Sequence, residues 1–201
     1  MARRLPEAVA VDYGGVQPPD WYEGVARRTA AVMGEGPWIA VLHSGAGAFA
    51  PSLAEAGASG LIFVDAVRPH PGRSLRQVDP EVVAHLEVRA FNDCLAPWNL
   101  WFDRDPLQRF LPDPAQRAAF VADLPRPPVG FLHAVAPASG DWERAPAAYL
   151  RLSRRYTDQA DWAEARGWPV RRADLHHLAM ISHPGSVAAQ LQALAAELAL
   201  S

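Results

Sequence analysis

Ser44 closes the apolar run Trp38-Ile39-Ala40-Val41-Leu42-His43 and is followed at once by Gly45-Ala46-Gly47. A serine between a buried strand and a helix, flanked by small residues, suits a sharp turn that exposes its Oγ at the C-terminal edge of the strand. Leu42 stands where the first glycine of a G-x-S-x-G pattern would be. A hydroxyl is a poor nucleophile at neutral pH, so the chemistry needs an imidazole within hydrogen-bond reach and a carboxylate to hold that imidazole in the right tautomer. Late in the chain His176 and His177 stand side by side, with His183 soon after. For the carboxylate there are two candidates: Asp65, directly after Leu61-Ile62-Phe63-Val64, and Asp158, in the stretch after Tyr149-Leu150-Arg151-Leu152. Asp65 is the better placed, because it follows its strand immediately. His43 points to the opposite face from Ser44 along a strand, so packing or orienting water is its expected role; His183 reads as a helix cap or an exposed side chain. The chemistry such a set performs is acyl transfer through an acyl-serine.

These side chains need a scaffold. Residues 8–11 are a short valine-rich run ended by Asp12-Tyr13-Gly14-Gly15, which reads as a buried strand. Asp20 can cap a helix over residues 21–33, where Trp21, Val25, Thr29 and Val32 recur at helical spacing before Gly34, Gly36 and Pro37 stop it. Residues 38–42 are apolar on both faces, as a central parallel strand must be. A short helix over 49–56 and a strand over 61–64 follow. This alternation predicts a parallel sheet with helices on both faces. Residues 66–140 read as proline-punctuated helices forming a lid, with Trp98, Trp101 and Phe102 as an aromatic lining and Phe110 and Phe120 beyond them. The sheet resumes over 147–152, a helix is expected over 156–166 and a last strand over 168–172. Residues 184–200 form an amphipathic helix.

Three stretches together resemble the α/β-hydrolase superfamily: Leu-His-Ser-Gly-Ala-Gly, Phe-Val-Asp-Ala, and His-His-Leu-Ala-Met-Ile-Ser-His-Pro. The resemblance covers nearly the whole chain and implies a three-layer α/β fold with a mostly parallel sheet of five or six strands, a nucleophile elbow at Ser44 and a helical lid inserted after the strand ending at Asp65. It carries the base role to His177, whose Leu-Ala-Met continuation is similar to the segment after the family's histidine, with His176 as the fallback. It also implies an oxyanion hole of two backbone amides, one from Gly45 and one from a loop after an earlier strand. Only 43 residues precede Ser44, so the chain resembles a shortened member in which Gly14 and Gly15 furnish that loop, or in which it is missing.

Composition narrows the partners. With 201 residues, half of them apolar, the chain is expected to form one domain over residues 1–201. A net charge of −3 and scattered arginines offer no stripe for nucleic acid. The lone Cys94 permits no internal disulfide, which fits a reducing cytoplasm, and no segment suggests a signal peptide or membrane span. The histidines lack metal-ligand spacing with carboxylates, so no metal and no cofactor is expected. The expected substrate is a small or carrier-bound acyl ester or thioester, with a bulky or aromatic acyl group such as a biosynthetic pathway supplies. The alternative is a non-catalytic binding or structural protein with an incomplete oxyanion hole. A truncated sheet leaves an open edge, from which a homodimer is expected.

Overall fold

The computed structural model describes residues 5, 8–138 and 141–199. Residues 1–4, 6 and 7, lid residues 139 and 140, Leu200 at the end of the expected last helix, and Ser201 lie outside the described residues. Four strands, β1 (Ile39–His43), β2 (Gly60–Val64), β3 (Ala147–Arg151) and β4 (Val170–Arg172), form one sheet in the order β1-β2-β3-β4. Every pairing is parallel, with Val41 beside Ile62, Ile62 beside Ala148 and Tyr149 beside Val170.

The sheet is smaller than the five or six strands expected, and the difference begins at residues 8–11. They belong to no strand, and Val9 is 56% exposed. Short-range bonds serve this stretch instead: the Ala8 amide donates to the Leu5 carbonyl, the Gly14 amide to the Asp12 carboxylate at 2.8 Å, and the Val16 amide to the Tyr13 carbonyl. A valine-rich run predicts burial only where a neighbouring ladder takes its backbone groups, and here local turns take those around it.

Between β1 and β2 the chain forms a 3-10 turn over Ser44–Phe49 and then α2 (Ala50–Glu55). Before β1 lies α1 (Trp21–Met33), which buries Tyr22, Val25, Ala26 and Thr29. Asp20 stands at its N-cap, but its side chain makes no capping bond; its carbonyl accepts from the Gly24 amide instead. The insertion between β2 and β3 holds α3 (Leu75–Val78), α4 (Pro80–Glu87), α5 (Leu107–Phe110) and α6 (Pro114–Ala122). Its helices start where sequence chemistry allows: Ser74 and Gln77 form a reciprocal capping box, and Asp79 and Asp113 accept amides of α4 and α6. The helix α7 (Thr157–Glu164) joins β3 to β4, and α8 (Ala179–Ser182) and α9 (Pro184–Leu198) end the described chain.

Two cores sandwich the sheet. One gathers Leu42, Leu53, Phe63, Tyr149, Ala160 and Ala163 between the sheet and α2 and α7. The other gathers Ile62, Val64, Leu150 and Leu152 against Val187, Leu191, Leu194 and Leu198 of α9. Each fully buried Leu, Ile or Phe contributes ~1.5–3 kcal/mol, and β2, buried at every position, is the strand most dependent on both. The consequence for function is geometric. Parallel strands gripped from both faces bring the ends of β1, β2 and β3 and the loop after β4 to one edge of the sheet.

Candidate active site

Ser44 follows β1 directly and turns with φ of +57°, a left-handed conformation that a non-glycine residue adopts at a cost of ~1–3 kcal/mol. The Val67 amide anchors the turn by donating to the Ser44 carbonyl at 3.0 Å. The need for small residues falls on Gly47, where a Cβ would meet the Val67 carbonyl oxygen at 2.1 Å; around Gly45 there is open space. The strain thus sits on the serine itself, as at a nucleophile elbow.

Asp65 follows β2 with φ of +40° and is fully buried. Its backbone is pinned by Leu150, whose carbonyl accepts the Asp65 amide, and by Tyr149, whose phenol hydroxyl accepts from the Ala66 amide at 2.9 Å and donates to the Ala66 carbonyl at 2.8 Å. Its carboxylate accepts from the Leu152 amide at 2.6 Å, the Ser153 amide at 3.0 Å and the Ser153 hydroxyl at 2.6 Å. Burial alone would raise the pKa of this carboxyl. The hydrogen bonds from His177, Ser153 and Leu152 outweigh burial and hold it below its ordinary value. It is a fixed anion.

His177 lies in the loop between β4 and α8, buried, and bridges the two. Its Nδ1 is 3.3 Å from Asp65 Oδ2 and its Nε2 is 3.1 Å from Ser44 Oγ. With the proton on Nδ1, the imidazole donates to Asp65 and accepts from the Ser44 hydroxyl, the arrangement a general base requires. His43 secures the loop: its Nε2 donates to the His177 carbonyl at 3.0 Å, and the two rings lie 4.4 Å apart. Burial first, and the neighbouring His177 second, push the His43 pKa down to about 4, so it is a neutral donor at neutral pH.

Other candidate residues fall elsewhere. Asp158 is exposed on the first turn of α7, where its backbone carbonyl accepts from Arg68; the contact with His177 is made by Asp65. The helix begins one residue before Asp158, which carries its side chain out to solvent. The expected oxyanion loop is also displaced. Gly14 has its amide bonded to Asp12, and Gly15 borders an open depression of about 610 Å³ with Asp20, Arg27 and Arg28. Neither glycine lines the cleft at Ser44, because residues 8–11 do not join the sheet that would carry this loop to the serine. Gly45, at the first turn of the 3-10 segment, keeps the expected position beside Ser44.

The cleft at Ser44 has a volume of about 320 Å³ and is lined by His43, Ser44, His177, Trp98, Phe120, Leu178, Met180 and Ile181. Apart from the serine and the two histidines its wall is apolar. Of the expected aromatic lining, Trp98 is in place, 5.9 Å from the His177 ring, and Phe102 packs edge-on behind it at 5.1 Å. Trp101 is turned away: its indole N–H donates to the Ala96 carbonyl and its ring packs on Val83, Leu86, Leu95 and Leu132. Trp101 lies just beyond the 3-10 turn Trp98–Leu100, so its side chain does not eclipse Trp98 as it would in a continued 3-10 helix and packs into the insertion's own core. His176, the fallback base, accepts or donates with Ser182 at 2.8 Å and stacks on Phe110. His183 is exposed at the start of α9.

Two neighbours of the site escape sequence reasoning. Ser153 bonds Asp65 through both amide and hydroxyl, and Tyr156 lies parallel to His177 with ring centres 5.1 Å apart. Their one sequence signal is their place just beyond the end of β3, the strand beside Asp65. Among the described residues no group of three or more His, Cys, Asp or Glu is arranged to hold a metal ion, and no helix is long and apolar enough to cross a membrane.

By sequence, no family model and no curated protein matches the chain. By structure, it is similar to an extracellular α/β-hydrolase from a Paenibacillus species, at 15% identity and a TM-score of 0.68, over 94% of this chain and 89% of that one. It is also similar to tomato methylketone synthase I complexed with 2-tridecanone, at 13% identity and a TM-score of 0.60, over 90% and 80% of the two chains. A thermophilic esterase from Thermogutta terrifontis matches at 18% identity and a TM-score of 0.55, over 88% and 72%. At these identities the likeness is one of fold. The chain has the α/β-hydrolase fold, with a sheet of four strands among the described residues.

Proposed function

We propose that this α/β-hydrolase fold serves a serine-dependent hydrolase or acyltransferase that acts on an ester or thioester. One observation carries the reading: Ser44, on a strained turn, contacts His177 at 3.1 Å while His177 contacts the buried Asp65 at 3.3 Å. As Ser44 Oγ attacks the acyl carbonyl carbon, its proton passes to His177 Nε2, and Asp65 stabilises the imidazolium that forms. The Gly45 amide, at the start of a helical turn and without an i−4 partner, is the donor for the oxyanion. The imidazolium then protonates the departing alkoxide or thiolate, leaving an acyl-serine. Water, activated by His177, or another acceptor takes the acyl group and restores the serine. The apolar wall of Trp98, Phe120, Leu178, Met180 and Ile181 supports a bulky or aromatic acyl group, and its size suits a fragment rather than a long chain. Hydrolysis and transfer differ only in whether water reaches the acyl-serine.

A second reading is favoured by the oxyanion loop. With Gly14 bonded to Asp12, the Gly45 amide is left without the expected second donor, and loss of one donor costs ~10²–10³ in rate. A protein that binds an acyl compound without turning it over would tolerate that loss. Turnover separates the two. On the first reading the protein hydrolyses p-nitrophenyl or thioester substrates with short aromatic acyl groups, and Ser44→Ala abolishes this. Absence of turnover on both substrate classes, with the same ligands bound in calorimetry, would favour the second.

A further inference from the structure

The loop after β3 runs Ser153-Arg154-Arg155-Tyr156 and closes into a 3-10 turn over Arg154–Tyr156. It carries no carboxylate to His177, since Asp65 supplies that from the neighbouring strand end. What it carries is a half-buried phenol. The Tyr156 ring lies 5.1 Å from the His177 ring and within 4° of parallel to it, a tighter alignment than those of His43 at 34° and Trp98 at 28°. The ring therefore lies flat against the imidazole that must receive the Ser44 proton.

His177 can take the Ser44 proton only while its Nε2 faces Oγ and its Nδ1 faces Asp65, so the plane of the imidazole must be held. A ring stacked flat on the imidazole prevents that ring from turning about the axis that the Nδ1 contact to Asp65 leaves free.

We propose that Tyr156 is a positioning residue for the acyl transfer, its ring fixing the plane of His177. This rests on Ser44 being the nucleophile. Tyr156→Phe keeps the ring and removes the hydroxyl; Tyr156→Leu removes both. Steady-state turnover of a p-nitrophenyl ester and the rate of inactivation by a fluorophosphonate are measured for each, alongside thermal unfolding. For Tyr156→Leu, kcat and the inactivation rate fall about ten-fold with KM unchanged, while Tyr156→Phe, which keeps the ring, stays at the wild-type rates. Should Tyr156→Leu fail to fold, Tyr156→Met is measured in its place. Wild-type kcat and inactivation rate in the folded variant without the ring, a raised KM with unchanged kcat, or a loss in Tyr156→Phe as large as in that variant, would overturn the assignment. A wild-type protein that neither reacts nor turns over would instead remove the nucleophile reading, and this inference with it.

Discussion

Asp65 and Ser44 are each held in a left-handed backbone conformation, and each is paired with His177. The strain is useful only if the contacts are. Asp65→Asn keeps the shape and, through Oδ1, the Leu152 and Ser153 amide bonds but removes the anion that stabilises an imidazolium, so kcat should fall by ~10³-fold or more with the fold intact; a steady-state assay with a circular dichroism spectrum checks both. His43 titrates in the opposite sense from a salt-bridged histidine. Its folded pKa of about 4 lies below the ordinary value of 6.5, so between these the unfolded chain binds more protons. Stability is full above pH 6.5 and declines as pH falls toward 4. His176, also shifted down by burial, adds to the same window, whereas Asp65, with a lowered pKa, loses its contribution only below the carboxylate range. His43→Gln keeps a donor for the His177 carbonyl and removes the titration; urea titrations at pH 7 and pH 5 should show a smaller loss of stability on acidification in the variant than in the wild type.

Elements set these positions through a few close contacts. Gly47 lets the 3-10 turn pass under the chain after β2, and Gly47→Ala drives a methyl into the Val67 carbonyl. Because that neighbour is backbone, the clash cannot be relieved by a rotamer, and a loss of ~1–3 kcal/mol or more in urea unfolding is expected. The meeting of Ser44, Asp65 and His177 is legible in the sequence because each follows a strand by a few residues, and parallel strand ends must converge on one edge. The oxyanion loop is not. Residues 8–11 have the composition of a strand, yet a strand needs a ladder partner, and pairing is a property of the sheet rather than of four residues. Trp101 and Tyr156 fail for a related reason: the direction of a side chain at the end of a short 3-10 turn depends on what packs around it.

At the scale of the molecule, the four-stranded sheet ends at β1, beyond which no strand pairs among the described residues, and Val41 on that strand is 43% exposed. An open edge of this kind templates pairing. We propose that the protein is a homodimer in solution, and light scattering should return a dimer mass at micromolar concentration; a monomer throughout that range would refute it. The parallel α/β organisation follows from alternating apolar strands and helices, while strand number depends on pairing that alternation does not specify. All of this chemistry depends on Ser44 being a nucleophile activated by His177, and intact-mass measurement after exposure to a fluorophosphonate reads that step alone. One covalent adduct per chain is expected, mapped to Ser44 and absent from Ser44→Ala and, at the same exposure, nearly absent from His177→Ala. An unmodified wild-type chain, or an adduct that persists in Ser44→Ala, would rule Ser44 out as the nucleophile.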